Sequence, residues 1–155
     1  MLLRIAEAVA ATPFAAWAAA SPQAYPVANV LHLLGLVLLI GGIGLIDLRL
    51  LGAFPRLPLQ PLAEALTPLG IAGVFILAAS GSVLFAADAV TLAGSGTFRI
   101  KLLLIGIALI NAIVFRILYR RPDAAAPAAP ARLMALVSLT LWLGVATYGR
   151  LIAYS

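Results

Sequence analysis

Four long apolar stretches dominate the sequence, at 27–51, 62–86, 98–119 and 133–154. At 1.5 Å rise per residue, each is long enough to cross the roughly 30 Å hydrocarbon core of a bilayer as a helix. Each is fenced by residues that break helices or stay out of lipid. Pro26 opens the first, and Gly52 and Pro55 close it. Pro58 and Pro61 precede the second. Gly94, Ser95, Gly96 and Thr97 lead into the third, with Thr97 as the expected N-cap, and Arg120, Arg121 and Pro122 end it. The Ala- and Pro-rich stretch 123–131 reads as a loosely ordered linker. The expected fold is all-α: an integral membrane four-helix up-and-down bundle, a single domain over residues 1–155.

Composition agrees. The chain is 65% hydrophobic and 10% charged, with a mean hydropathy of +1.16. Soluble domains carry about a quarter charged residues, and a domain this small buries only roughly 70% of its unfolded surface. In water it would have to expose apolar surface, whereas lipid removes that conflict. The chain has no cysteine, which excludes disulfides and thiolate metal sites. The net charge of +5 comes from basic residues at helix ends and short loops, a topological pattern rather than a nucleic-acid surface.

Residues 1–24 resemble a signal peptide in part, but Glu7 and Pro13 interrupt the apolar run and Arg4 is its only basic residue. The expected structure is a short interfacial N-terminal helix carrying Phe14 and Trp17, since aromatic rings favour the headgroup zone. Arg56, Arg120, Arg121 and Arg132 fall on one side of the bundle, with Arg49 and Arg116 just inside the adjoining helix ends. Arg4, Arg99, Lys101 and Arg150 fall on the other. The positive-inside rule puts the first group in the cytoplasm and both termini outside. Gly35, Gly41, Gly42 and Gly44, with Gly70, Gly73 and Gly81, mark where helices should approach closely.

Ionisable residues within the spans are costly and therefore informative. Asp47, Arg49 and Arg116 form an inner cluster in which an Asp47–Arg116 ion pair is expected. Asp47 and Arg49, two apart, point to different faces. His32, Lys101, Arg150 and Asp88 form an outer cluster at roughly one depth. Lys101 stands in the first turn of a helix, where the macrodipole disfavours cations, so an anion should compensate it: Asp88, a lipid phosphate or an acidic cofactor group. His32 is the one histidine. It reads either as a hydrogen-bonded packing residue or as an axial ligand to haem. Gly35, Leu36, Leu39 and Ile43 lie below it on the same face, and Ala108 and Ala112 lie beneath Lys101. One His, no Cys and two Met do not make a dedicated copper site. No phosphate loop, dinucleotide fingerprint or zinc-protease motif is present.

Tyr25, Pro26, Asn29, His32 and Gly35, then the run from Asp47 to Gly52, then Gly81 to Asp88 and Phe98 to Lys101, resemble a bacterial family of uncharacterised four-helix membrane proteins over nearly the whole chain. More distantly, the chain looks like the superfamily of copper-resistance protein D and the HemJ-type protoporphyrinogen oxidases. That resemblance implies that His32 is the haem-linked histidine, Arg49 the helix-end arginine and Lys101 the essential lysine. The chain departs from those proteins at Asn111, where they tend to carry a further histidine, and in lacking the tryptophan of their first helix.

The expected protein is therefore a multi-pass protein of the bacterial inner membrane that binds haem b near the outer leaflet and takes part in electron transfer or redox chemistry. If it is an enzyme, it is a membrane oxidoreductase. His32 would ligate iron, with Lys101, Arg150 and Arg49 as further cofactor-binding residues. A redox or membrane-protein partner, or a second copy of the chain, is compatible with this. The rival reading is a non-catalytic scaffold or accessory subunit in which His32, Lys101 and Asp88 form a polar lock and the glycine-rich first helix docks on a partner protein or lipid.

Overall fold

The computed structural model describes residues 1–119 and 129–154, and is helical throughout these apart from short turns. Four helices are long and apolar enough to cross a membrane: α3 (Ala24–Leu50), α4 (Leu59–Ala87), α6 (Gly96–Leu118) and α7 (Ala129–Leu151). Shorter helices α1 (Leu2–Ala10), α2 (Pro13–Ala20) and α5 (Ala89–Gly94) gather at one end. A 3₁₀ turn, Ile152–Tyr154, follows α7.

Each long helix starts a few residues earlier than its apolar stretch. For α3, α4 and α7 the reason is Pro26, Pro61 and Pro130, because proline in a first turn gives up an N–H that has no intrahelical partner there. These residues start helices instead of fencing them. The last part of the expected linker, residues 129–131, is helical in α7; the rest of it, with Arg120 and Arg121, lies outside the described residues. The cap of α6 is Ser95, whose Oγ accepts from the Phe98 N–H at 3.4 Å, and Thr97 lies in the first turn.

The expected N-terminal helix is two helices bent by 75°. Thr12 makes the corner. Its hydroxyl donates to the Val9 carbonyl at 2.6 Å and accepts from the Ala15 N–H at 3.2 Å, ending one helix and capping the next. Pro13 follows at the first position of α2. Alanines bring both helices close to the bundle: Ala6 packs with Ala89 and Ala93 of α5, and Ala15 and Ala18 pack with Ala86 of α4. Phe14 and Trp17 stack with ring centroids 5.7 Å apart and stay half exposed.

The tightest seam joins α3 to α4, and glycine makes it. A Cβ added at Gly73 would fall 2.7 Å from both the Gly35 carbonyl oxygen and the Leu39 nitrogen. One added at Gly42 would fall 3.0 Å from the Leu66 carbonyl oxygen. The glycine face of α3 is thus turned onto α4 within the chain and is not free to dock elsewhere. Gly41, on another face, has nothing within 4 Å. Helix α3 also packs on α7, and α7 on α6, while α4 and α6 barely meet. Four helices therefore form an open arc, α4–α3–α7–α6. Leu39, Ala108, Trp142 and Val145 fill its middle, and Ile46, Leu50, Leu59 and Ala135 fill the end where α3 and α6 finish.

Candidate functional site

His32 comes eight residues after the start of α3, and Ser80 comes seven before the end of the antiparallel α4. Equal depth follows from the 1.5 Å rise, and the two side chains meet: His32 Nδ1 lies 2.9 Å from Ser80 Oγ. The Ser80 hydroxyl has one proton, and the Ile76 carbonyl 2.6 Å away takes it. Ser80 Oγ can then only accept from the imidazole, so Nδ1 carries the hydrogen and Nε2 keeps a lone pair. Nε2 has no hydrogen-bond partner among the described residues. Gly81, the next residue, makes room for the ring: a Cβ there would lie 3.3 Å from His32 Cε1.

Lys101 reaches the same end of the bundle from α6. It is half-buried, and its ammonium rests on the backbone of Gly149 in α7, where an added Cβ would lie 3.3 Å from Nζ. Its charge is near enough to act on the His32 ring. Asp88 stays exposed at the corner between α4 and α5 and makes no ion pair, so the compensating anion expected for Lys101 is not supplied by the described residues. Arg99, the other cation in that helix turn, has a local reason for its place. Its Nε–H donates to the Ala93 carbonyl at 3.1 Å, near the negative end of α5.

Arg150 is exposed one helix over. It donates to the Tyr154 hydroxyl at 2.7 Å and lies 5.0 Å from that ring's centroid. Arg49 is elsewhere. Seventeen residues beyond His32 on one helix, it stands about 25 Å away at the opposite end of the bundle. There its guanidinium donates to the carbonyls of Leu57 (2.6 Å) and Pro55 (3.2 Å). These bonds hold a tight loop in which Gly52 and Phe54 both have positive φ, 107° and 52°. The structure brings His32, Lys101 and Arg150 to one end and leaves Arg49 as the staple of a turn.

The inner pair also differs from expectation. Asp47 is 94% buried and lines the same cleft as Ser138 of α7. Arg116 is exposed on α6 and makes no ion pair with it. The reason is the open arc: α3 packs on α7, and α6 is the diagonal helix. One Asp47 oxygen, Oδ2, is buried with no hydrogen-bond partner among the described residues.

Ser80, Gly81, Gly149 and Ser138 were missing from the residues singled out as a site by sequence alone. Depth matching would have found Ser80, whereas Gly149 and Ser138 require knowing which helices are neighbours. No cluster of three or more His, Cys, Asp or Glu side chains forms among the described residues, so His32 stands as a single candidate ligand.

No curated protein and no solved structure matches the chain, and nothing in the comparisons links it to copper-resistance protein D or to the HemJ-type oxidases. Residues 22–155, which take in all four long helices and both clusters, match the family of unknown function DUF6644, and the chain belongs to that family.

Proposed function

We propose that this multi-pass membrane protein binds haem b at its His32 end, with that end toward the periplasm of a bacterial inner membrane, and serves in electron transfer. The observation that carries the reading is the anchored imidazole. Ligating histidines characteristically donate the second ring N–H to a fixed acceptor, which sets the tautomer and aims the other nitrogen. Ser80 is such an acceptor, locked in turn by Ile76.

The remaining residues suit the same group. Lys101, without a carboxylate partner, offers charge to a propionate or, as a neutral amine, a ligand from across the bundle. Arg150 offers a second cation at that level by letting go of Tyr154. Haem bound there supplies a one-electron iron couple. The chain's part is to hold the imidazole orientation, neutralise acid groups and keep the surroundings apolar. Arg49, at the far end, belongs to the loop and takes no part. The orientation rests on Arg49, Arg56, Arg116 and Arg132 gathering at the opposite end, together with Arg120 and Arg121 in sequence.

The test is an absorption spectrum of detergent-purified protein expressed with ample haem. A Soret band is expected, lost in His32→Ala with helicity unchanged, and haem affinity should fall ten- to a hundred-fold in Ser80→Ala. A colourless wild-type protein, or an unchanged band in His32→Ala, refutes the assignment.

A further inference from the structure

The gap between α4 and α6 is a cleft of about 1480 Å³ in the half of the bundle away from His32. Its walls are mainly apolar: Leu39 and Ile43 of α3, Val74 of α4, Leu109 of α6 and Trp142 of α7. Phe75 and Ile113 stand on its two sides and are 71% and 58% exposed, so the cleft opens sideways, to the acyl chains of a bilayer. One group in it is out of keeping with apolar walls. Asp47 lines the cleft, is 94% buried, and carries the oxygen Oδ2 that no described residue satisfies. Leaving such a group unpaired is unfavourable, and native proteins rarely do so without a reason.

From these features we infer a second ligand site, independent of the His32 end: the cleft takes a lipid-soluble molecule with a hydroxyl head, which hydrogen-bonds to Asp47 while its apolar body lies along the α4–α6 gap. Three observations define that class. A hydroxyl both donates and accepts, so it pairs with the Asp47 carboxyl, once that group turns about its last side-chain bond toward the cleft, whether it is ionised or protonated. Asp47 lies three residues from the end of α3, about 5 Å inside it, where the polar head of an amphiphile belongs, while Leu39, Val74 and Trp142 lie deeper. Asn111, which also lines the cleft, uses its amide N–H on the Met134 carbonyl at 3.2 Å, and its own carbonyl oxygen keeps the capacity to accept a second hydroxyl. A head with two hydroxyls, such as a hydroquinone or a glycerol lipid, matches this pair.

Trp142 makes the site readable. The chain has two tryptophans, so Trp17→Phe leaves Trp142 as the only one. That protein, in lipid nanodiscs, is titrated with a decyl-tailed benzohydroquinone, with its dimethyl ether, and with dioctanoylglycerol, following Trp142 emission. Saturable change is expected with at least one hydroxyl probe, and the tighter of the two identifies which source of the head group the cleft prefers. The dimethyl ether should bind at least ten-fold more weakly than the hydroquinone if the quinol head is preferred. Asp47→Leu should abolish the preference for hydroxyl probes without lowering the melting temperature. Ala112→Phe, which fills the cleft from its α6 wall, leaves Asp47 in place and adds no second tryptophan, should abolish saturable binding altogether. Equal binding of the ether and both hydroxyl probes overturns the proposal, as does binding that survives Ala112→Phe. So does a dimer in which cysteines placed at Phe75 and Ile113 cross-link between copies, since the gap would then be an interface.

Discussion

Gly73→Ala should open the α3–α4 seam, and its cost can be worked from the geometry. The added carbon would lie 2.7 Å from a carbonyl oxygen and a backbone nitrogen of α3, where ordinary contact needs about 3.5 Å. Both neighbours are main-chain atoms of a regular helix, so no side-chain rotation relieves the clash and the helices must part by most of an ångström. Forcing an extra carbon into a packed core costs about 1–3 kcal/mol. Alanine returns up to about 1 kcal/mol of helix propensity. Gly41→Ala isolates the steric term, since it makes the same chemical change in the same helix pair with nothing within 4 Å. The two variants should therefore differ by about 1–3 kcal/mol, or on the order of 5 °C in melting temperature at this chain length. Thermal unfolding in one detergent, followed by circular dichroism, measures the difference. Equal melting temperatures, or a less stable Gly41→Ala, would refute the idea that glycine backbone contact holds these two helices.

Three other outcomes follow from local geometry. Arg49→Ala frees the carbonyls of Leu57 and Pro55, at a cost of about 1 kcal/mol because the site is partly exposed; limited proteolysis should cut residues 51–58 faster. Thr12→Ala removes the cap at the α1–α2 corner and should cost about 0.5–2 kcal/mol, seen as faster hydrogen exchange in α2 while the four long helices keep their protection. Ala93→Leu puts a large side chain where Ala6 and Ala93 are fully buried against each other, and should detach α1 without changing total helix content by more than its nine residues.

The four spans were legible because lipid imposes a length and a polarity that soluble folds do not. Their starts were less so, because Pro26, Pro61 and Pro130 have two meanings, helix breaker or first-turn residue, and only the chain's path chooses between them. The N-terminal corner had a readable sign in Thr12 followed by Pro13, a capping residue before a proline, inside what otherwise resembles one helix. The site was legible in its depth and illegible in its faces. His32 and Lys101 share a level because both positions count from helix ends, and counting also pairs His32 with Ser80. The Asp47–Arg116 pair failed by the same measure. Their depths match, but α3 neighbours α7 and not α6, and no spacing within a single sequence reveals which helices stand side by side.

That order of helices also bears on what the cleft contains. The cleft is open along one side, so it holds whatever medium surrounds the bundle and is not a sealed void. In a bilayer, acyl chains reach it from the side and satisfy its apolar walls at little cost, which is why an open arc is tolerated there. They do nothing for Asp47, whose Oδ2 needs a hydrogen-bonding partner that hydrocarbon lacks. A molecule that fills the same volume and also brings a hydroxyl has only to outcompete lipid at that one oxygen, and each additional 1.4 kcal/mol gained there is a tenfold preference over lipid. The buried acid thus turns a lipid-filled gap into a selective one, and Asp47→Leu should make the protein indifferent to what fills it.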